Sequence, residues 1–167
     1  MNKTTVFRAL SFLLLVGWMI FIFAFSSQNA EKSSQTSSGF VSAVIETVYP
    51  QYNTLSASQQ QNVTHTVTLI VRKTAHFSEY FVLGLLAFLT TVTFNKHKLC
   101  IRLATAFVFC VLYSISDEIH QHFVPGRACR LIDMLIDSAG SMTAILLLTV
   151  LFVKRRKFRS KSGDKNA

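Results

Sequence analysis

The chain has 167 residues, of which 50% are apolar and only 15% charged, well short of the quarter or so that a soluble domain carries. Its net charge of +9 is gathered rather than spread: seven of the seventeen cations follow the last apolar block, in KRRKFRSKSGDK. The length sets one domain, and the pattern excludes a soluble globular protein and a nucleic-acid-binding face.

A membrane span needs about 20 mainly apolar residues. The first apolar block, about 7–25, is longer than the core of a signal peptide, about 7–15 residues, and is expected to stay as an anchor. Residues 26–71 follow as a polar loop. Its first part, SSQNAEKSSQTSS, is rich in Ser and Gln and reads as flexible or turn-forming. FVSAVIETVY then repeats Phe40, Val44 and Val48 at helical spacing, and a second short helix is expected to start near a cap at Ser56 or Ser58. Both read as local helices of an ordinary loop, or as a lid on the outer membrane surface. Three further spans are expected at about 77–94, 99–116 and 131–153. The fold class is therefore all-α: a polytopic bundle of four transmembrane helices with short amphipathic helices outside. Residues 1–153 form a single membrane domain and 154–167 a basic cytoplasmic tail.

Lys and Arg in short loops set the orientation. With the N-terminus inside, Lys3, Arg8, Lys96, Lys98, Arg102 and the seven tail cations make twelve on the cytoplasmic side, against five outside (Lys32, Arg72, Lys73, Arg127, Arg130). Both termini are expected in the cytoplasm. Cys100, Cys110 and Cys129 are odd in number and irregular in spacing, so they form neither a disulfide framework nor a zinc site.

Two polar clusters interrupt this apolar chain. In RKTAHFSEYFVLG, helical spacing puts Arg72, His76, Glu79, Tyr80 and Leu83 on one stripe, Lys73 at its edge, and Phe77 and Phe81 on the back. A carboxylate at the depth of Glu79 must be paired, protonated or wetted, and an ionisable group there marks a functional site. The second cluster, SISDEIHQHFVPGRACRLIDMLIDSAG, holds Asp117, Glu118, His120, Gln121, His122, Arg127, Arg130, Asp133 and Asp137. Pro125-Gly126 is a turn that reverses the chain. Asp133 and Asp137 lie one turn apart and need a positive charge between them, from Arg130, Arg127 or a metal ion. Gly140 and Ala144 form a small-xxx-small pair that permits close helix approach. With both clusters at the outer leaflet, five of the eight acidic residues and three of the five His converge there; His65 and His97 read as ordinary loop or interface residues.

At RKTAHFSEYFVLG, SDEIHQHFVPGR and DMLIDSAG, and at FSSQNAEKSSQTSSG after the first span, the chain resembles the VanZ-like family over nearly its whole length. The resemblance implies a small protein of the bacterial cytoplasmic membrane and a link to low-level resistance to teicoplanin, a lipid-tailed glycopeptide that targets cell-wall precursors. It implies no settled reaction.

Three readings of the clusters follow. In an enzyme acting on an envelope lipid, His76 or His120 is the general acid or base, and Glu79, Asp117 or Glu118 tunes it. Arg72, Lys73, Arg127 and Arg130 then clamp a phosphate or carboxylate, with Tyr80, Gln121, Asp133 and Asp137 completing the site. A divalent metal ion would be held by Asp133 and Asp137 with a phosphate, or by His76, Glu79, Asp117 and His120. No Ser or Cys has an obvious partner that would make it a nucleophile; Ser116, beside Asp117, comes nearest. In a binding protein the same pocket holds a membrane lipid headgroup, a cell-wall precursor or a lipoglycopeptide without bond cleavage. In a structural or assembly protein the charges only pair helices.

Overall fold

Caps written into the sequence start the helices. Asn2 accepts from the Thr4 amide and opens α1, Lys3–Ser26. Asn29 accepts from the Lys32 amide at 2.8 Å and opens α2, Ala30–Val48. A 3-10 turn, Tyr52–Thr54, leads to Ser56 and Gln59, which bond reciprocally as a capping box: the Ser56 amide donates to Gln59 Oε1 at 3.0 Å, and the Gln59 amide to Ser56 Oγ at 3.5 Å. They open α3, Ala57–Phe94. Then come α4, Leu99–His122, and α5, Leu131–Gly163. Gly126, with φ of 76°, supplies the left-handed residue that turns the chain between α4 and α5.

This architecture comes from a computed structural model that describes residues 2–94 and 98–163. Among them there is no strand. Lys96, His97 and Lys165 lie outside the described residues, as do the side chains of 156–163. Among the described residues four helices are long and apolar enough to cross a membrane: α1, α3, α4 and the Leu131–Arg155 part of α5. The fold is all-α, as the apolar blocks imply.

The hub is α3, which packs against α1, α2, α4 and α5. Tyr80, Leu83, Ala87 and Phe88 of α3 form the core with Leu15 and Ile22 of α1, Ala106 and Cys110 of α4, and Ile145 of α5. The remaining faces of α1, α4 and α5 carry exposed Leu, Ile, Val and Phe, as expected of helices bathed in lipid rather than water. α3 and α5 cross at backbone contact. A Cβ on Gly140 would overlap the Phe77 carbonyl, and one on Gly84 would lie 2.6 Å from the Ser141 carbonyl oxygen. The side of α3 that bears Phe77 and Phe81 is therefore not simply an outward back: α5 lies against its backbone, and Gly140 makes room for it.

At one end of the bundle, Arg8 Nε donates to the Thr93 carbonyl at 3.0 Å and its guanidinium lies over the Phe94 ring, so the start of α1 caps the end of α3. The other end gathers both polar clusters. Two features differ from expectation. The short helix expected after Ser56 and the expected second span are one helix of 38 residues, because no Gly or Pro interrupts Ala57–Phe94 before Gly84. At about 1.5 Å per residue it is about 57 Å long, nearly twice the hydrocarbon thickness of about 30 Å. α2 runs back along its first half, with Val41 and Ile45 buried against it, so the two form a hairpin. The stripe expected at Phe40, Val44 and Val48 is thus rotated: Phe40 is 64% and Val48 69% exposed, and the neighbouring edge makes the contact.

Candidate functional site

Each element brings polar groups to the hairpin end of the bundle. α3 contributes Arg72, Lys73, His76 and Glu79 at the point where the hairpin gives way to the core. α4 contributes Asp117, Glu118 and Gln121 from its last two turns, and the turn 123–130 adds Arg127 and Arg130. α5 contributes Asp133 and Asp137 from its start.

The deepest layer is a set of buried carboxylates held by hydroxyls. Ser26, the last residue of α1, donates to Asp117 Oδ2 at 2.8 Å. The Gln121 amide donates both to Ser26 Oγ, at 3.1 Å, and to Asp117 Oδ2, at 3.2 Å. Ser114 donates to Asp137 Oδ2 at 2.9 Å. The Arg130 amide donates to Glu118 Oε2 at 3.0 Å, which pins the turn onto α4. Trp18 Nε1 donates to the Glu79 carbonyl at 2.9 Å and fixes the depth of α1 against α3. Tyr80, fully buried, belongs to this layer and to the apolar core beneath it. Neither Arg130 nor Arg127 separates Asp133 from Asp137, as the sequence suggests. Lys73 takes Asp133, at 2.9 Å, while Ser114 takes Asp137, with His76 Nδ1 3.8 Å from its other oxygen.

Above this layer lie two cavities. One, of about 140 Å³, is enclosed by the end of α1, the first turns of α2, and Arg72, His76, Glu79 and Arg127. The other, of about 220 Å³, lies between α3, the turn and α5, beside Lys73, Gln121, Arg130 and Asp133. Arg72, His76 and Arg127 line both, so the two are lobes of one polar chamber with those three side chains as the partition. Several atoms around it are buried with no hydrogen-bond partner among the described residues: His76 Nδ1, Arg127 Nε, Asp117 Oδ1, Glu118 Oε1 and Asp137 Oδ1. Leaving such a group unsatisfied costs about 1–3 kcal/mol, so a cluster of them marks a place where polar atoms from outside the chain belong. Arg127 is the sharpest case. Burial, and then the neighbouring Arg72 charge, push its guanidinium down from its usual range, while Asp117, Glu118 and Glu79 pull the other way.

The expected site residues thus sort into groups. Arg72, Lys73, His76, Glu79, Gln121, Arg127, Arg130 and Asp133 line the chamber. Asp117, Glu118, Tyr80 and Asp137 form its buried floor. His120 lies aside: its ring stacks on Phe23 at 4.4 Å and its Nε2 is 3.1 Å from Ser27 Oγ. Ser116 is also elsewhere, exposed and bonded to the Tyr113 carbonyl, so it is no nucleophile for this chamber. Among the described residues no three His, Cys, Asp or Glu side chains come together to hold a metal ion, so the set His76, Glu79, Asp117 and His120 is not assembled. The chain reading missed Ser26, Trp18, Ser33 and Thr36. Ser26 carried a signal, being the first polar residue after an apolar run, but its partner Asp117 is 91 residues away.

The VanZ/LLP1 family model matches residues 11–153, from within α1 to the apolar part of α5. The chain belongs to this family. No curated protein and no solved structure matches it significantly.

Proposed function

We propose that this VanZ-like membrane protein resides in the bacterial cytoplasmic membrane with both termini inside, and binds the anionic headgroup of an envelope lipid, a cell-wall precursor or a lipoglycopeptide at the outer leaflet. The observation that carries this reading is Arg127, a half-buried arginine whose Nε is buried with no partner among the described residues and which shares a wall with Arg72 and His76 between two cavities. A guanidinium presents its donors as a fork that fits phosphate and carboxylate, and such charge-assisted bonds are the strong ones. The acyl tail of the ligand would stay in the bilayer beside the apolar helices. Through this binding the protein lowers susceptibility to teicoplanin, by sequestering the drug or the lipid precursor it seeks.

The test uses the full chain in nanodiscs. Wild-type protein is expected to retain an anionic lipid over a zwitterionic one, and Arg127→Met to weaken that retention about tenfold or more, the worth of one charge-assisted hydrogen bond. Equal retention by wild type and variant rejects the reading. In cells, Arg127→Met should restore teicoplanin susceptibility. His76 and Glu79 stand three residues apart on the same wall, the arrangement of an acid–base pair beside a bound headgroup. If His76→Gln and Glu79→Gln leave the lipid profile of the cell unchanged, the chamber binds without catalysis.

A second reading has its own support. The contacts Ser26–Asp117, Ser114–Asp137 and Lys73–Asp133 tie α1 to α4, α4 to α5 and α3 to α5, as a purely structural role requires. It predicts that Arg127→Met lowers stability and leaves lipid preference intact.

A further inference from the structure

A third cavity, of about 490 Å³, lies in the hairpin between α2, the 3-10 turn and the first half of α3. Its lining differs in kind from the chamber. Hydroxyls come from Ser38, Ser42, Thr64 and Thr68, an amide from Asn53, and aromatic rings from Tyr49 and Tyr52. Among the described residues the single charged one in the lining is Glu46, and no cation lines it. The floor is apolar, with Val41 and Ile45 buried beneath. Part of the wall is fixed in advance: the Tyr52 hydroxyl pairs with Thr64 Oγ1 at 2.8 Å, and Gln60 Nε2 donates to the Tyr52 carbonyl at 3.1 Å.

We infer that this cleft binds a sugar carried on a membrane lipid. A phosphate or carboxylate would meet Glu46 and no cation. Ser38, Thr64 and Thr68 already bond within the protein, but each hydroxyl keeps a free lone pair, and a wholly apolar tail would leave that acceptor capacity and the Asn53 amide facing hydrocarbon. A pyranose satisfies both sides: its C–H face covers an aromatic ring, and its hydroxyls donate to a carboxylate and exchange bonds with Ser, Thr and Asn. The volume falls in the range of about 300–1,000 Å³ for small-ligand sites. The lipid origin follows from placement and rests on the headgroup reading above. Ser37 on α2 lines both this cleft and the Arg72–Arg127 chamber. From Ser33 at the chamber to Glu46 at the far side of the cleft is thirteen residues, about 20 Å of helix. A glycosylated phospholipid would lie along α2, phosphate at the arginines and sugar between the tyrosines.

The experiment measures binding of short-chain probes to the full chain in phosphatidylcholine nanodiscs. The probes are diglucosyl diacylglycerol, diacylglycerol without sugar, phosphatidylglycerol, free maltose and an alkylammonium amphiphile. The diglucosyl lipid is expected to bind at least about tenfold more tightly than the sugar-free lipid. Tyr49→Ala and Asn53→Ala should abolish that difference, and Tyr49→Phe, which keeps the ring, should preserve it. Equal binding with and without sugar, or a preference that survives both Ala variants, overturns the inference. Stronger binding of the alkylammonium probe would make the cleft an amine site through Glu46 and equally overturn it. Free maltose binding as tightly as the glycolipid would overturn the lipid-borne assignment. The two readings fail separately: Arg127→Met should weaken phosphatidylglycerol and leave the neutral glycolipid unchanged, whereas Tyr49→Ala should do the reverse.

Discussion

Asp133 and Asp137 sit one turn apart on α5 and are held in opposite ways. Asp133 pairs with Lys73 at 2.9 Å, but the lysine side chain is 38% exposed and water screens the pair. Such pairs are worth about 0–1 kcal/mol. Asp137 is wholly buried and takes one hydroxyl, from Ser114. Removing that donor leaves a buried acceptor unsatisfied, at about 1–3 kcal/mol. Ser114→Ala is therefore expected to lower the thermal midpoint in detergent clearly, and Lys73→Met hardly at all. A larger loss from Lys73→Met would mean that the exposed pair, not the hydroxyl, secures α5. Glycines obey the same local logic. Gly140→Ala drives a Cβ into the Phe77 carbonyl, backbone against backbone, and overpacking of this kind costs about 1–3 kcal/mol. Gly39→Ala meets nothing within 4 Å and should gain about 0.5–1 kcal/mol from helix propensity. Opposite signs for the two substitutions in one unfolding assay would show that α3 and α5 meet at backbone contact.

At the level of elements, the legible parts were those with a local cause. Apolar blocks named the four long helices, Pro125-Gly126 named the turn before α5, and the cap expected at Ser56 or Ser58 named the place where α3 starts. The continuity of α3 was hidden because its first half is polar, QQQNVTHT, and polarity resembles a loop when hydropathy is the guide. Backbone hydrogen bonding does not require apolar side chains; α2 packing along that half supplies what the sequence window lacks. A rigid helix makes a measurable claim. Spin labels at Gln59 and Thr74, both exposed, in a chain whose three cysteines are replaced, should lie about 22 Å apart at their Cα atoms with a narrow distribution. A broad distribution would make residues 57–71 a separate, hinged piece and would dissolve the cleft with it. The rotation of α2 was equally hidden: Phe40, Val44, Val48 and Val41, Ile45 form one wide apolar arc, and only the partner decides which edge is buried.

For the whole molecule, the convergence of the two clusters was legible because span count fixes which loops share a side. What escaped was pairing across distance: Ser26 with Asp117, Lys73 with Asp133, and the exclusion of His120 from the chamber depend on helix rotation, which hydropathy does not report. The proposed orientation, with the chamber opening outward, rests on charge: Arg8, Lys98 and Arg102 lie at the opposite end from Arg127. The native cysteines can read it. Cys129 is exposed in the turn beside Arg127 and Arg130, whereas Cys100 is exposed in the first turn of α4 at the Arg8 end; Cys110 is buried in the core. A membrane-impermeant maleimide added to intact cells should label the protein through Cys129, and Cys129→Ser should lose that label. Permeabilised cells should restore labelling of Cys129→Ser through Cys100. The reverse pattern, with Cys100 labelled first, would turn the chamber toward the cytoplasm. It would also leave an outer-leaflet ligand or an extracellular glycopeptide no access to Arg72 and Arg127.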